Sequence, residues 1–120
     1  FVEPIASPSS SQSVKKQIFS VNLPNQLPKI FSLSQNYPNP FNLSTIIRYG
    51  VKDEGFVSLT VYDMKGRLIK TLVNNFGKPG EKEIEWNGKN DFGAPLSSGM
   101  YFYKLKQGND IQIKKMMLLK

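Results

Sequence analysis

Alternation of apolar and polar residues is clearest over Phe56-Val57-Ser58-Leu59-Thr60-Val61-Tyr62, where Val57, Leu59 and Val61 share one face, as in a strand covered on one side by a core. The same period recurs along the chain. Thr45–Val51 aligns Ile47, Tyr49 and Val51, Glu81–Trp86 sets Ile84 and Trp86 against three glutamates, and Met100–Leu105 aligns Tyr101, Tyr103 and Leu105. Ile30–Leu33 opens the series, and the run from Ile111 to Leu119 closes it. Arg67–Val73 carries its apolar residues in adjacent pairs, a spacing that also suits a short helix. The preceding turn Asp63-Met64-Lys65-Gly66 and the β-branched content favour a strand, bulged to absorb the irregular spacing. Seven short strands between turn signals, with no segment of ordinary helical length, predict an all-β, immunoglobulin-like antiparallel sandwich; a small closed barrel is the second choice. Trp86 is expected at the centre of its core.

Asn36-Tyr37-Pro38-Asn39-Pro40-Phe41-Asn42 interrupts the pattern. Its two prolines fix φ and remove two amide donors, so no strand passes through, and a rigid extended turn is expected. Tyr37 and Phe41 are expected to fold this turn back over the sandwich edge and bury apolar area there. Residues 1–31 differ again, being rich in Ser, Pro, Gln and Asn, with Ser7-Pro8-Ser9-Ser10-Ser11 the most biased stretch. They read as a linker, within which Gln17-Ile18-Phe19-Ser20-Val21 has the alternation of an edge strand, and the folded domain is expected over 32–120.

Composition then removes whole classes of chemistry. The 120 residues include no cysteine and no histidine, so disulfides, thiolate metal sites and imidazole-based triads are excluded. The few carboxylates mostly occupy alternating strand positions, and no enzymatic activity is expected. The apolar runs are too short to cross a bilayer, and a chain that begins at Phe1 is expected to be a piece of a longer, secreted precursor. The formal charge of +7 comes from lysines spread over turns and outward strand positions, mildly concentrated at Lys104, Lys106, Lys114, Lys115 and Lys120. A nucleic-acid groove would interleave such cations with stacking aromatics, so no nucleic-acid partner is expected; attraction to anionic surfaces follows from net charge alone.

Six pieces in order carry a family resemblance: Leu33-Ser34-Gln35-Asn36-Tyr37-Pro38-Asn39-Pro40-Phe41-Asn42, Thr45-Ile46-Ile47-Arg48-Tyr49, Val61-Tyr62-Asp63-Met64-Lys65-Gly66-Arg67, Trp86-Asn87-Gly88, Ser98-Gly99-Met100-Tyr101-Phe102-Tyr103, and Lys115-Met116 with the closing Leu-Leu-Lys. Together they resemble the type A C-terminal sorting domain of the type IX secretion system, and the pattern is also similar to the immunoglobulin-like domain of the flagellar hook-capping protein. The resemblance implies a non-catalytic address label fused behind a cargo module. That label would be recognised by the outer-membrane translocon and removed by a sortase-like protease, the cargo reaching the surface or the medium by way of the periplasm. The cut would fall in the linker before Leu33. Leu43 and Val51-Lys52 depart from the family's usual prolines, and Asn87 stands where an acidic residue is usual.

Two places are candidate sites. The loop Asn87-Gly88-Lys89-Asn90-Asp91-Phe92-Gly93 has a rhythm of side-chain oxygens at Asn87, Asn90 and Asp91, but calcium usually takes more than one carboxylate and only Asp91 supplies one. Capping of a long connection is the favoured role, and no cofactor is expected. The second is the final strand, Lys114, Lys115, Met116, Met117, Leu118, Leu119 and Lys120, where period-two geometry must turn either Met116 and Leu118 or Met117 and Leu119 away from the core. These residues are the expected recognition surface, either exposed or covered by the N-terminal extension. Phe102 is likewise expected to face outward. Rival readings are a carbohydrate-binding module using Phe92 or Phe102, and a structural assembly domain; a monomer is expected.

Overall fold

The computed structural model describes residues 30–120, and all seven expected strands form within them. They are β1 (Ser32–Leu33), β2 (Thr45–Val51), β3 (Gly55–Tyr62), β4 (Leu68–Gly77), β5 (Gly80–Trp86), β6 (Gly99–Gln107) and β7 (Asp110–Leu118). Every pairing is antiparallel, in a three-stranded sheet of order β1-β2-β5 and a four-stranded sheet of order β4-β3-β6-β7. Two such layers closed over one core make the immunoglobulin-like sandwich, and the barrel is not formed. The edge strand expected over Gln17–Val21 and most of the 1–31 linker lie outside the described residues.

Alternation decides which side chains meet between the layers. Val57, Leu59 and Val61 from β3 and Tyr101, Tyr103 and Leu105 from β6 are buried, facing Ile47, Tyr49 and Val51 from β2. Burial of one such aliphatic side chain stabilises by about 1.5–3 kcal/mol. Trp86 occupies the middle, its ring 5.6 Å from Phe41 and 6.1 Å from Tyr101, and its indole N–H donates to the Lys89 carbonyl at 2.9 Å. The polar end of that ring is thereby satisfied rather than buried bare.

The pairs Leu68-Ile69 and Leu72-Val73 fit a strand because register shifts at Leu59/Thr60 and Val61/Tyr62 interrupt the β3–β4 ladder. β4 runs on through Asn74-Asn75-Phe76-Gly77, beyond the Arg67–Val73 span expected, since Phe76 pairs with Phe56. The hairpin before it is set by Asp63, whose carboxylate accepts from the amides of Lys65 and Arg67, each at 2.9 Å, with Gly66 at φ 83°. The Arg67 amide foremost, then the Arg67 guanidinium and the Lys65 amide, holds this carboxyl below its ordinary range.

β1 is shorter than the Ile30–Leu33 expected, yet it is closely fitted. A Cβ built on Gly50 would lie 2.5 Å from the Ile30 carbonyl oxygen, so only glycine lets β2 and the entering chain approach. Gln112 of β7 joins the two sheets at this seam. Its side-chain carbonyl accepts from the Leu33 amide at 3.1 Å and its NH2 donates to the Phe31 carbonyl at 3.2 Å, as a neighbouring strand's backbone would.

Candidate functional site

β7 is an edge strand, and an edge strand presents a row of unpaired backbone groups. From Lys115 to Leu119 that row is taken up by the proline-rich entrance segment. Gln35 Nε2 donates to the Lys115 carbonyl at 2.7 Å, and Asn39 Oδ1 accepts from the Met117 amide at 2.9 Å. The Phe41 amide donates to the Met117 carbonyl at 3.0 Å, and the Leu119 amide donates to the Phe41 carbonyl at 2.9 Å. Asn42 Nδ2 donates to the Leu119 carbonyl at 3.1 Å. The segment thus acts as a short parallel partner, bridged at Phe41 and Leu118 and completed by side-chain amides. Prolines at positions 38 and 40 cost nothing here, because the contacts on β7 come from Gln35, Asn39, Phe41 and Asn42.

The clasp is anchored from below by Asn36, which is buried. Its amide donates to the Tyr103 hydroxyl at 2.9 Å, its side-chain NH2 donates to Thr45 Oγ1 at 3.0 Å and the Pro38 carbonyl at 3.2 Å, and its side-chain oxygen accepts from Gln35 Nε2 at 2.7 Å. The Tyr103 hydroxyl in turn donates to the Ser34 carbonyl at 2.8 Å, and burial pushes its pKa up to about 12. Phe41 is buried against Trp86, as expected for a turn folded over the edge. Tyr37 is not: it is 76% exposed, because its backbone pairs with Ile46, whose side chain belongs to the outer face.

The seven candidate residues of the final strand divide by parity. Met116 and Leu118 are 1% exposed and belong to the interlayer core, so their side chains are not a surface in the folded domain. Lys115 and Leu119 are exposed and Met117 is half-buried, all on the opposite face, and Lys120 is exposed at the end with its amide donating to Ser98 Oγ at 2.9 Å. Lys114 is half-buried at the inner edge, in line with Gln112 and Met116. Phe102 lies on the outer face as expected, half-buried between Tyr62 and Lys115. Gln35, Asn39, Asn42 and Gln112, which hold the strand in place, carried no signal as site residues beyond the recurrence of side-chain amides around two prolines.

In the 87–93 loop each candidate side chain has an oxygen that accepts from backbone amides. Asn87 Oδ1 accepts from Lys89, Asn90 Oδ1 from Phe92 and Ala94, and Asp91 Oδ1 from Thr71, at 2.9–3.2 Å. The Asp91 amide returns a bond to the Ile69 carbonyl at 3.1 Å, so the loop covers part of the free edge of β4. These bonds cap and bend the connection, and among the described residues no group of three or more acidic side chains converges.

A two-layer sandwich whose terminal strand is fixed by its own entrance segment is a small immunoglobulin-like module. This chain belongs to the secretion system C-terminal sorting domain family, which it matches over residues 35–119. It is a C-terminal sorting signal of the type IX secretion system. Its fold is shared with dimeric latent PorU from Porphyromonas gingivalis at a TM-score of 0.60 and 21% identity, over 77% of this chain and 9% of that one. It is shared also with PorZ of the same organism, a surface component of the type-IX secretion system, at 0.50 and 17%, over 72% of this chain and 11% of that one. The hook-capping protein FlgD from Xanthomonas campestris matches at 0.52 and 21%, over 76% of this chain and 68% of that one. The chain therefore spans about a tenth of PorU or PorZ. No curated protein matches significantly.

Proposed function

We propose that the domain is the non-catalytic address label of a larger secreted protein, and that the secretion machinery reads it through the outward-facing residues of its last strand. The label occupies 32–120, and the cargo precedes the linker at 1–31. The partners are an outer-membrane translocon and a sortase-like protease that cuts within the linker, with the cargo crossing the periplasm on its way to the surface or the medium and the domain itself acting as a monomer. What supports this reading is the family match over 35–119 together with the clasp, which fixes the backbone of residues 115–119 while leaving Lys115, Leu119 and Lys120 in solvent and Met117 half-exposed on the same face. Met116 and Leu118 contribute by anchoring the strand, and Lys114 lines its inner edge.

The test is a reporter carrying an export leader and fused ahead of this chain, expressed in a bacterium with a type IX system. The wild-type fusion is expected outside the cell. With Lys115→Glu, Met117→Ser, Leu119→Ser and Lys120→Glu combined, export is expected to fall at least about tenfold, the effect of losing one moderately strong contact, with the reporter held in the periplasm. An unchanged melting temperature of the purified variant separates lost recognition from lost folding. Export at the wild-type level would overturn the assignment of the reading surface; a wild-type fusion that stays in the periplasm would overturn the function itself.

A further inference from the structure

The two outer faces of the sandwich carry opposite charge. On the three-stranded sheet, β5 turns Glu81, Glu83 and Glu85 to solvent, with Arg48 paired to Glu83 at 3.0 Å. The four strands of the other sheet contain a single carboxylate, Asp110, which lies opposite the buried Gln107, whereas Lys104, Lys106 and Lys115 stand on the outward face. Apolar side chains share that face with the lysines. Phe56 and Phe76 form an exposed cross-strand pair at one end, 56% and 68% exposed, and Ile111 and Ile113, 49% and 57% exposed, lie opposite Lys106 and Lys104. An open depression of about 410 Å³ between Tyr62, Met64, Phe102 and Ile113 continues the apolar surface, with Lys104 Nζ 5.3 Å from the Tyr62 ring centre; Asp63 also lines it, its carboxylate engaged by the Arg67 amide and guanidinium.

We propose that this face docks on an anionic lipid surface. Both halves of such a partner are matched: the apolar side chains reach the boundary of headgroup and acyl chain, and the lysines lie along them with their ammonium groups at the level of the phosphates. The strands of this face carry no arginine, so the forked, bidentate geometry that picks out one carboxylate on a folded protein is missing. Point charges on flexible stems, spread among exposed apolar residues over a sheet, fit a fluid partner with laterally mobile charge. The acidic β5 face would be repelled by the same surface, so the domain lies with one defined side down.

Flotation of the full 120-residue chain with phosphatidylglycerol-containing vesicles, against pure phosphatidylcholine vesicles, tests this. Binding is expected only to the former. Lys104→Gln with Lys106→Gln should weaken it roughly 25-fold, at about fivefold for each basic residue. Arg48→Gln with Lys89→Gln removes the same charge from elsewhere on the domain and should change binding less than about twofold. Ile111→Ser with Ile113→Ser should weaken binding roughly tenfold. No binding to the anionic vesicles, equal binding to both vesicle types, or equal losses from the two charge-removing pairs would overturn the proposal. The first outcome would point instead to an acidic protein or a second copy of the chain as the occupant. These substitutions leave Lys115, Met117, Leu119 and Lys120 unchanged, so vesicle binding and export are read through different side chains.

Discussion

Tyr103 links the clasp to the middle of the four-stranded sheet through its hydroxyl. Its hydroxyl both accepts from the Asn36 amide and donates to the Ser34 carbonyl, tying the centre of β6 to the entrance segment. Because burial raises its pKa to about 12, the folded state favours the protonated phenol. The stability this contributes is complete below the unfolded value near 10 and is lost as pH climbs from about 10 through about 12, amounting to roughly 2–3 kcal/mol. Tyr103→Phe should lower stability at neutral pH by about 1–3 kcal/mol, since it leaves a buried amide and a carbonyl without partners. It should also remove that part of the alkaline loss. Denaturant titrations of both proteins across this pH range measure the two effects together. None of this was legible in the residue string, where Tyr103 is one of a face of three; the alternation placed it inside without saying what its hydroxyl would meet.

Strands were legible where one side faces a core and the other water, as in β3, whose Val57, Leu59 and Val61 are all buried. β4 was legible only in part. Its bulges break the period, and Asn74-Asn75-Phe76-Gly77 has turn composition although Phe76 completes a pair with Phe56. Period-two reasoning correctly divided the last strand into two faces, but the choice between them needed the sandwich. The rigidity of the Asn36–Asn42 stretch was also readable from its prolines, whereas its reach across to β7 was not, because the partners are backbone groups with no sequence signature. The same blindness applies to Gly50, an unremarked glycine in a strand. Gly50→Ala would drive a methyl into the Ile30 carbonyl and Ser32 Oγ, 2.5 and 2.7 Å from the new Cβ, and β1 would have to move. A loss of about 1–3 kcal/mol is expected, with faster amide exchange at Leu33 and Ser34 and unchanged exchange in β3 and β6.

Across the whole molecule, the final strand serves the core and the surface at once. Removing residues 115–120 deletes Met116 and Leu118 from between the layers, each worth about 2–5 kcal/mol by analogy with truncation to alanine, against a total stability of about 5–15 kcal/mol for a domain of this kind. The shortened chain is expected to be unfolded, with dispersed amide resonances lost and no cooperative melting. Deleting the strand is therefore a poor probe of recognition, and outward side chains must be changed singly or together with the core left intact. The clasp has a further consequence, for the order of events as the domain forms. Gln35 and Asn39 meet their partners 80 and 78 positions later in the chain, so the seal closes a far longer loop than any hairpin of the two sheets does. Closure at such separation is slow, because the entropy of the spanning loop must be overcome before any contact repays it. The domain is accordingly expected to mature last at the place where its beginning and its end touch.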